Sequence, residues 1–172
     1  MTTEFMRDLL SKDEKITVEY KTCQFGIQED VYETVCSFSN RYGGYIIMGA
    51  EDDGTPIGVK QNMVKDMKRN FVNQLNNPDK MSPTLYLSIE DFEYEGKVLL
   101  WVYVPPTATV EKCGNRIYDR NEDGDMDITD SPIQLQNMYN RKSTTYAEHK
   151  IFPYVTKDDL RLDLMDLSLI HI

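Results

Sequence analysis

The fold of this chain is decided by residues 43–54, which have the sequence GGYIIMGAEDDG. Residues 45–50 form a continuous apolar run, which predicts a strand that is covered on both faces. The glycine pair at 43–44 predicts the end of a preceding helix, because glycine tolerates the left-handed conformation that helix C-termini often need. Residues 51–54 are acidic and end in glycine, which is typical of a turn. This stretch therefore predicts the end of a helix, a buried strand and a turn, in that order.

The neighbouring segments extend this pattern. Residues 16–21 alternate apolar and polar side chains and include β-branched residues, which predicts a strand. Apolar side chains recur at helical spacing over residues 27–42, with polar side chains between them. That segment is predicted to be an amphipathic helix. Residues 57–59 predict a short strand that returns after the turn.

The remainder of the chain adds helices and a hairpin. A second helix is predicted from a cap at Asn62 to Leu75, and a hairpin is predicted over 85–104. Proline at position 132 suits the first turn of a third helix, and Thr156 starts a predicted fourth helix. Early helices interleaved with strands, followed by a hairpin, predict the α+β class. We expect a mixed β-sheet packed with helices in a single domain.

The composition narrows the class of protein. The chain has 172 residues, 40% of them hydrophobic, which fits one globular domain and excludes a collagen-like or wholly disordered chain. No apolar run approaches the ~18–20 residues of a membrane span, and the charged N-terminus lacks the apolar core of a signal peptide. Three widely spaced cysteines are typical of reduced thiols. We therefore predict a cytoplasmic protein without a membrane partner.

The net charge of −10 is unevenly distributed. Residues 119–130 hold six carboxylates and one arginine, and residues 158–172 hold four aspartates and one arginine. The rest of the chain is close to neutral, so a local basic face is compatible with the composition. The global field would nevertheless slow the approach of a polyanion.

Four motifs in a fixed order resemble the Schlafen/AlbA-like DNA-binding domain family. They are VEYK at 18–21, ETVCSFSN at 33–40, the stretch at 43–54 and IGV at 57–59. The resemblance is strongest over residues 14–59 and extends more loosely to residues 118–120. It implies nucleic-acid binding, with DNA or RNA as the partner. It also implies a bacterial transcriptional regulator in which further domains follow this one.

The same resemblance implies an alternative function as a metal-dependent nuclease. Some vertebrate members cleave RNA with three carboxylates; Glu14 and Glu19 match the first two by spacing, and Asp52 or Asp53 is the candidate third. Hard oxygen ligands of this kind hold Mg²⁺ or Mn²⁺ against a phosphate. Lys21 is the candidate to contact that phosphate or to steady the attacking water. The alternative interpretation makes Glu14 a solvated charge and Asp52 part of a turn.

Basic side chains on the predicted second helix form a candidate phosphate-binding patch. Lys65, Lys68 and Arg69 are spaced i, i+3 and i+4, so they share the face opposite the apolar positions. Such a patch would position nucleic acid without reading its sequence. An ordinary solvated helix face is the alternative. The fold decides whether other basic residues extend the patch; the candidates are Arg41, Arg116, Arg120, Arg141 and Lys142.

The acidic segment 119–130 follows the pattern of a calcium-binding loop. Oxygen-bearing side chains fall at loop positions 1, 3, 5, 9 and 12, and glycine falls at position 6, where such loops turn tightly. The candidate Ca²⁺ ligands are Asp119, Asn121, Asp123, Asp127 and Asp130. The alternative is a solvated acidic loop that repels nucleic acid and directs it elsewhere.

These observations predict a nucleic-acid-binding domain over residues 1–155, followed by the start of a C-terminal helix over 156–172. The last residues change abruptly from charged to apolar and resemble translated adapter DNA. We therefore expect them to be non-native and the natural protein to continue, with further domains, past residue 166. Besides binding and cleavage, a third function stays open, a protein-interaction or ligand-sensing module, because the net charge of −10 disfavours a polyanion.

Overall fold

The computed structural model describes residues 2–12 and 16–148. Within these ranges the chain forms four α-helices, α1 to α4, and eight strands, β1 to β8. The helices are Thr3–Leu10, Glu29–Asn40, Val64–Leu75 and Pro132–Glu148. The strands are Val18–Lys21, Gly44–Met48, Met81–Ser82, Ile89–Tyr94, Lys97–Val104, Lys112–Cys113, Tyr118–Asn121 and Gly124–Asp127. This arrangement confirms the predicted α+β class.

The main sheet has four strands in the order β1-β2-β5-β4. β1 and β2 are parallel, with α2 as the connection between them, and the other two pairs are antiparallel. Two further ladders have two strands each, because β3 pairs with β6 and β7 pairs with β8. The main sheet is therefore mixed, as the sequence predicts.

The apolar run in β2 lies between two layers of helices. Ile46 and Met48 pack in the cluster that α2 and α3 cover, whereas Ile47 packs in the cluster that α1 covers. A continuous apolar sequence is expected for a strand buried on both faces, so the buried strand is confirmed, although β2 ends at Met48 rather than at residue 50. α1, whose Met6 and Leu9 fill the second layer, was not among the predicted helices.

Each glycine of the pair after α2 is required for a steric reason of its own. Gly43 adopts φ +73°, and a Cβ at this position would lie 2.5 Å from the Val104 carbonyl oxygen. A Cβ on Gly44 would lie 2.7 Å from the Thr17 carbonyl oxygen. Any side chain at either position would push the neighbouring backbone away, so the chain needs glycine where it passes from α2 into β2.

Several predicted boundaries differ from the structure. Residues 57–59 are not in a strand, since the return consists of an isolated bridge between Ala50 and Pro56. The first hairpin strand begins at Ile89 rather than at residue 85. A short 3₁₀ helix, Gln61–Met63, precedes α3, so Met63 rather than Asn62 occupies the N-cap of that helix. Local patterns define the ends of elements less sharply than their existence.

α4 begins at Pro132, as predicted, and packs beside the β7–β8 hairpin. Met138 of this helix lies in a small core with Ile117 and Ile128. Ile117 directly precedes the first hairpin strand, and Ile128 directly follows the second. The predicted fourth helix from Thr156 lies outside the described residues. Across the described ranges, no helix combines the length and the apolar character needed to cross a bilayer.

Candidate nucleic-acid interface

α3 presents a basic outer face. Its apolar side chains Met67, Phe71 and Leu75 are buried, so the residues between them are turned outward. The helix holds three cations and one carboxylate, the largest positive balance among the described helices. We refer to its cations as the α3 basic face, which consists of Lys65, Lys68 and Arg69.

Two cations of the α3 basic face are paired at the surface. Lys68 Nζ lies 2.6 Å from Asp91 Oδ1 on β4, and an Arg69 guanidinium nitrogen lies 2.8 Å from Asp66 Oδ1. The Arg69 side chain is 64% exposed. Water screens pairs of this kind, which contribute only ~0–1 kcal/mol. A phosphate oxygen can therefore replace either carboxylate at little cost in free energy.

Uncharged hydrogen-bonding groups lie on the same helix. Asn70, Asn73 and Gln74 are exposed on α3. A side-chain amide both donates and accepts, so it pairs with phosphate oxygens or with the edges of bases. The helix has 12 residues, which corresponds to a length of about 18 Å. Its outer side thus offers both charge and hydrogen-bonding capacity to an extended polyanion.

Glu19, Lys21 and Arg120 belong to a second, buried ionic network. Glu19 Oε1 lies 2.7 Å from Lys21 Nζ, and Glu19 Oε2 accepts a hydrogen bond from the Arg120 guanidinium. Lys21 also lies 3.0 Å from Asp30, and Arg120 lies 2.7 Å from Asp125. The Arg120 side chain is only 2% exposed. The network therefore ties β1 to α2 and to the β7–β8 hairpin.

The carboxylates of this network favour the charged forms of its two cations. Burial acts to lower the pKa of Lys21, but the hydrogen bonds and charges of Glu19 and Asp30 outweigh burial and raise that pKa. Burial likewise opposes the charge on Arg120, whose pKa is nevertheless raised by the charges of Glu19 and Asp125. Cations thus occupy both oxygens of Glu19, which acts as their counter-ion in this conformation.

The predicted three-carboxylate site is not assembled within the described residues. Glu14 lies outside them, and Asp52 is exposed in the turn after β2. In the described part of the chain, no three His, Cys, Asp or Glu side chains converge into a group that could hold a metal ion. A divalent cation at Glu19 would compete with Lys21 and Arg120, which carry charge of the same sign. Mg²⁺ or Mn²⁺ binding by this set stays a prediction.

The acidic turn after β2 has a structural role of its own. Asp53 accepts hydrogen bonds from Thr55, whose amide nitrogen lies 2.8 Å from Asp53 Oδ1, and these bonds lower the pKa of Asp53. Gly54 adopts φ +80°, where a Cβ would clash with the Leu10 carbonyl oxygen. The turn is therefore fitted closely against the end of α1. This geometry matches the turn interpretation of residues 51–54.

Residues 118–127 form a β-hairpin where the sequence predicts a calcium loop. Tyr118 lies opposite Asp127 in the ladder, and Arg120 lies opposite Asp125. Neighbouring side chains along a strand point to opposite faces, so Asp119 points away from the face that carries Asp125 and Asp127. Ligands of one cation must converge, and the hairpin separates these carboxylates. The described geometry does not fit Ca²⁺, and calcium binding at 119–130 stays a prediction of the sequence alone.

The carboxylates of the two hairpin strands have protein partners instead. Asp119 accepts hydrogen bonds from Arg41 at 3.4 Å and from Arg141 at 3.1 Å. Asp127 accepts a hydrogen bond from the Thr129 hydroxyl at 2.6 Å. Asp125 accepts hydrogen bonds from side chains of α2 and β7, namely Thr34, Ser37 and Arg120.

The other predicted calcium ligands lie at the turn of the hairpin and beyond its second strand. Asn121 Oδ1 accepts a hydrogen bond from the Asp123 amide at 2.9 Å, which closes the turn. Asp123 and Asp130 are exposed. These residues therefore shape or flank the hairpin, and their positions agree with the alternative of a solvated acidic segment.

Three of the four arginines predicted to extend the basic patch have different positions. Arg116 is exposed and lies 3.4 Å from Asp127, and Arg41 is half-buried beside Asp119. Arg120 differs from the prediction because Glu19 and the hairpin enclose its guanidinium. In this conformation Arg120 stabilises the fold rather than facing a ligand. None of the three lies on α3.

Lys142 and Arg141 anchor α4 rather than extending an exposed patch. Lys142 is buried, and its Nζ donates to the carbonyl oxygens of Ser39 and Thr107 at 3.0 and 2.9 Å. Burial lowers the pKa of Lys142 to about 8. Arg141 donates to the Asn40 carbonyl oxygen at 3.2 Å. Both cations therefore join α4 to the end of α2.

A cleft that was not predicted from the sequence lies beside the carboxyl ends of β1 and β2. The cleft has a volume of about 580 Å³, and it is lined in part by the loop between β1 and α2. Phe25 of this loop is 68% exposed, and Lys60 Nζ lies 5.5 Å from the centroid of its ring. Only a weak pattern in the sequence indicates this cleft, namely one aromatic residue beside a glycine, outside any periodic pattern.

Two solved structures are similar to this chain. One is a solution NMR structure of the N-terminal domain of a protein from Nitrosomonas europaea that is named as related to the ATP-dependent DNA helicase RecG. It has 27% identity and a TM-score of 0.49, over 60% of this chain and 72% of that chain. The other is a crystal structure of the DIP2311 protein from Corynebacterium diphtheriae, with 16% identity and a TM-score of 0.52. That match covers 73% of this chain and 29% of the other, and it shows similarity of fold alone.

No curated protein matches the chain at a significant level. The sequence does match a family model. The family model described as Schlafen, AlbA_2 matches residues 14–129, which include β1, α2, β2, the α3 basic face and the buried network around Arg120. This match spans more than half of the 172 residues. The chain therefore belongs to the Schlafen AlbA_2 family.

Proposed function

We propose that this chain is a nucleic-acid-binding domain in which the α3 basic face contacts the phosphate backbone. The observation that carries the proposal is the basic face itself. Its cations lie on the outer side of a helix whose other side is buried, and the carboxylate partners of two of them are exposed and weakly held. Membership of the family supports the proposal, because the sequence resemblance implies nucleic-acid binding.

The distribution of acidic charge supports the choice of α3. The β7–β8 hairpin and its flanks hold six carboxylates, which repel a polyanion. With a net charge of −10, attraction has to come from local cations, because the field of the whole chain is unfavourable. Binding is therefore expected to be strongest at low ionic strength and to weaken steeply as salt is added.

A pair of matched variants tests this proposal. Fluorescence anisotropy of a labelled duplex would compare the wild type with Lys65→Gln/Arg69→Gln and with Arg7→Gln/Lys12→Gln. Both variants remove two exposed cations, but the second pair lies on and just after α1. We expect the α3 variant to lose at least about fivefold in affinity at low salt. Equal losses in the two variants would assign the effect to net charge and contradict the role of α3.

The same samples distinguish binding from cleavage. Both oxygens of Glu19 already contact cations, so the proposal favours binding without cleavage. Labelled DNA and a structured RNA would be incubated with Mn²⁺ or with EDTA and run on a denaturing gel. Intact strands are expected under both conditions. Metal-dependent cleavage that is lost in a folded Glu19→Gln protein would instead establish the alternative of a nuclease.

The finer role is also a proposal. The family resemblance supports a place in a bacterial transcriptional regulator, and the exposed amides Asn70 and Asn73 are of the type that contacts base edges. Selection of bound duplexes from a random pool would enrich a common sequence if the domain has this role. Binding without enrichment would limit the domain to sequence-independent contact. If neither DNA nor RNA binds at low salt, the alternative of a protein-interaction or ligand-sensing module is favoured.

A further inference from the structure

The cleft beside β1 and β2 has the position and size of a ligand site. The two strands are parallel and are connected through α2. In units of this kind, ligands bind beyond the carboxyl ends of the strands. One wall is the β1–α2 loop, and Glu51 and Ile57 contribute to the other. The volume of about 580 Å³ lies within the range of small-molecule sites.

The aromatic side chain of Phe25 is exposed to solvent at this cleft. The ring is 68% exposed, although phenylalanine is usually buried. Its loop is tied down, since the Lys60 amide donates to the Gln24 carbonyl oxygen at 2.9 Å. The Lys60 ammonium lies 5.5 Å from the ring centroid, which is within cation–π range. An exposed ring on a tethered backbone is a surface on which a planar group can stack.

Polar side chains around the ring can recognise the edge of a planar ligand. Thr22, Gln24 and Gln28 line the cleft, and Glu51 lies on the opposite wall. Gln28 is the N-cap residue of α2, but its side chain makes no capping hydrogen bond. Its amide is therefore not used by the helix. Amides, a hydroxyl and a carboxylate together supply donors and acceptors for the edge of a nucleobase.

Lys60 joins this cleft to the α3 basic face. It contacts the Phe25 ring and is followed directly by the 3₁₀ helix Gln61–Met63 and then by α3. Resting on the proposed function, we propose that the cleft binds one unpaired nucleobase of a single strand whose phosphates lie along Lys60 and α3. The base stacks on Phe25, and the amides of Gln24 and Gln28 face its edge.

The chemistry of the cleft favours a nucleobase over an apolar peptide. An aliphatic side chain would fill it without hydrogen-bonding to Gln24, Gln28 or Thr22. A base presents both a π face and polar edges, and its phosphate carries the charge that Lys60 complements. Phosphate and base thus match the cation and the ring that the structure places side by side.

A fluorescent base provides a direct test. The probe is a single-stranded oligonucleotide with one 2-aminopurine, whose emission changes when the base leaves the stack of its neighbours, and the control probe is the matched duplex. The variants are Phe25→Ala, Phe25→Tyr, which retains a ring, and Tyr86→Ala. Tyr86 is another exposed aromatic residue, 87% exposed, and serves as the control. Thermal unfolding of each variant confirms that it is folded.

We expect binding of the wild type to change the emission of the single-stranded probe. Phe25→Ala should abolish this change in emission and weaken single-strand binding at least about fivefold, while Phe25→Tyr and Tyr86→Ala bind the single strand as the wild type does. Duplex affinity should be the same in all four proteins. A free nucleoside monophosphate is expected to compete only at far higher concentration than the strand. If the monophosphate competes at the same concentration as the strand, the cleft takes a free nucleotide, and the proposal of a base within a strand is overturned.

The outcomes separate this inference from the proposed function. If the wild type binds neither strand nor duplex, the proposed function fails and the base-binding site fails with it. If duplex binding persists and depends on Lys65 and Arg69, while Phe25→Ala alters neither the emission change nor the single-strand affinity, only the base-binding site is overturned.

Discussion

The α3 basic face and the network around Arg120 are built from the same residue types and have opposite accessibility. Arg69 is largely exposed, and its partner Asp66 lies three residues away on the same helix. Arg120 is almost fully enclosed, and its partner Glu19 lies 101 residues away in sequence. The pair within α3 leaves Arg69 at the surface, whereas the pair between β7 and β1 buries Arg120. The first region is therefore accessible to the proposed ligand, whereas the second joins distant elements of the fold.

Removal of the buried arginine is expected to have the largest effect. Arg120→Ala leaves Glu19 and Asp125 without their shared cation, and breaking a buried pair in this way costs about 3–5 kcal/mol. Urea unfolding would measure this loss in the free energy of unfolding. Arg69→Ala is the matched control and should lose less than ~1 kcal/mol. Similar losses in the two variants would remove the distinction between the regions.

The buried lysine of α4 predicts a pH dependence of stability. Burial lowers the pKa of Lys142 from 10.5 to about 8. Between these pH values the unfolded chain keeps a proton that the folded protein has released, so the free energy of unfolding should rise with pH. The groups that act on Lys142 are Glu111, Arg141, Cys36 and Asp119.

The contribution of Lys142 is obtained by difference. Urea unfolding would give the free energy of unfolding of the wild type and of Lys142→Met across pH 8 to 10.5. In the difference between the two proteins, the contributions of the other titrating groups cancel. The wild type should gain about 2–3 kcal/mol relative to the variant over this window. A constant difference between the two proteins would show that Lys142 titrates normally and that its burial carries no penalty.

The hydroxyl donors to Asp125 should contribute less than the arginine. The Thr34 hydroxyl donates to Asp125 Oδ2 at 2.5 Å, and Thr34→Val removes this bond with little change of shape. We expect a loss of about 1–2 kcal/mol in the free energy of unfolding. In an Asp125→Asn background the same substitution should cost less, because the charged acceptor is gone. Additive losses would show that Thr34 acts independently of the network.

The surface pair of α3 should have the smallest effect. Lys68→Ala removes the pair with Asp91 and is expected to change the free energy of unfolding by less than ~1 kcal/mol. Raising the salt concentration should reduce even this difference. A loss as large as that of Arg120→Ala would mean that the α3 cations are structural as well.

The sequence predicts those parts of the fold that depend on local patterns. A few neighbouring residues are enough to identify the apolar run in β2, the glycines after α2 and the apolar face of α3. Residues 57–59 have an apolar pattern of the same kind, but the chain pairs there through a single bridge at Pro56. Gly49 and Gly58 adopt φ of +96° and +80°, which interrupts the extended backbone that a continuing ladder needs.

The candidate site was less accessible to sequence reasoning, because its roles depend on long-range contacts. Lys65, Lys68 and Arg69 could be placed on one face from helical spacing alone. The burial of Arg120 depends on the hairpin meeting β1, which no local pattern shows. The calcium pattern at 119–130 is matched by composition, but strand pairing separates its carboxylates. Phe25 was missed because its exposure depends on the cleft around it.

The most direct test of the central claim is the salt dependence of duplex binding by the wild type and by Lys65→Gln/Arg69→Gln. Each phosphate contact adds about 0.9 to the magnitude of the slope of log K against log salt. If both side chains of the α3 basic face contact phosphates, the slope of the variant should be smaller in magnitude by roughly 2. Parallel slopes for the two proteins would contradict the assignment of phosphate binding to α3.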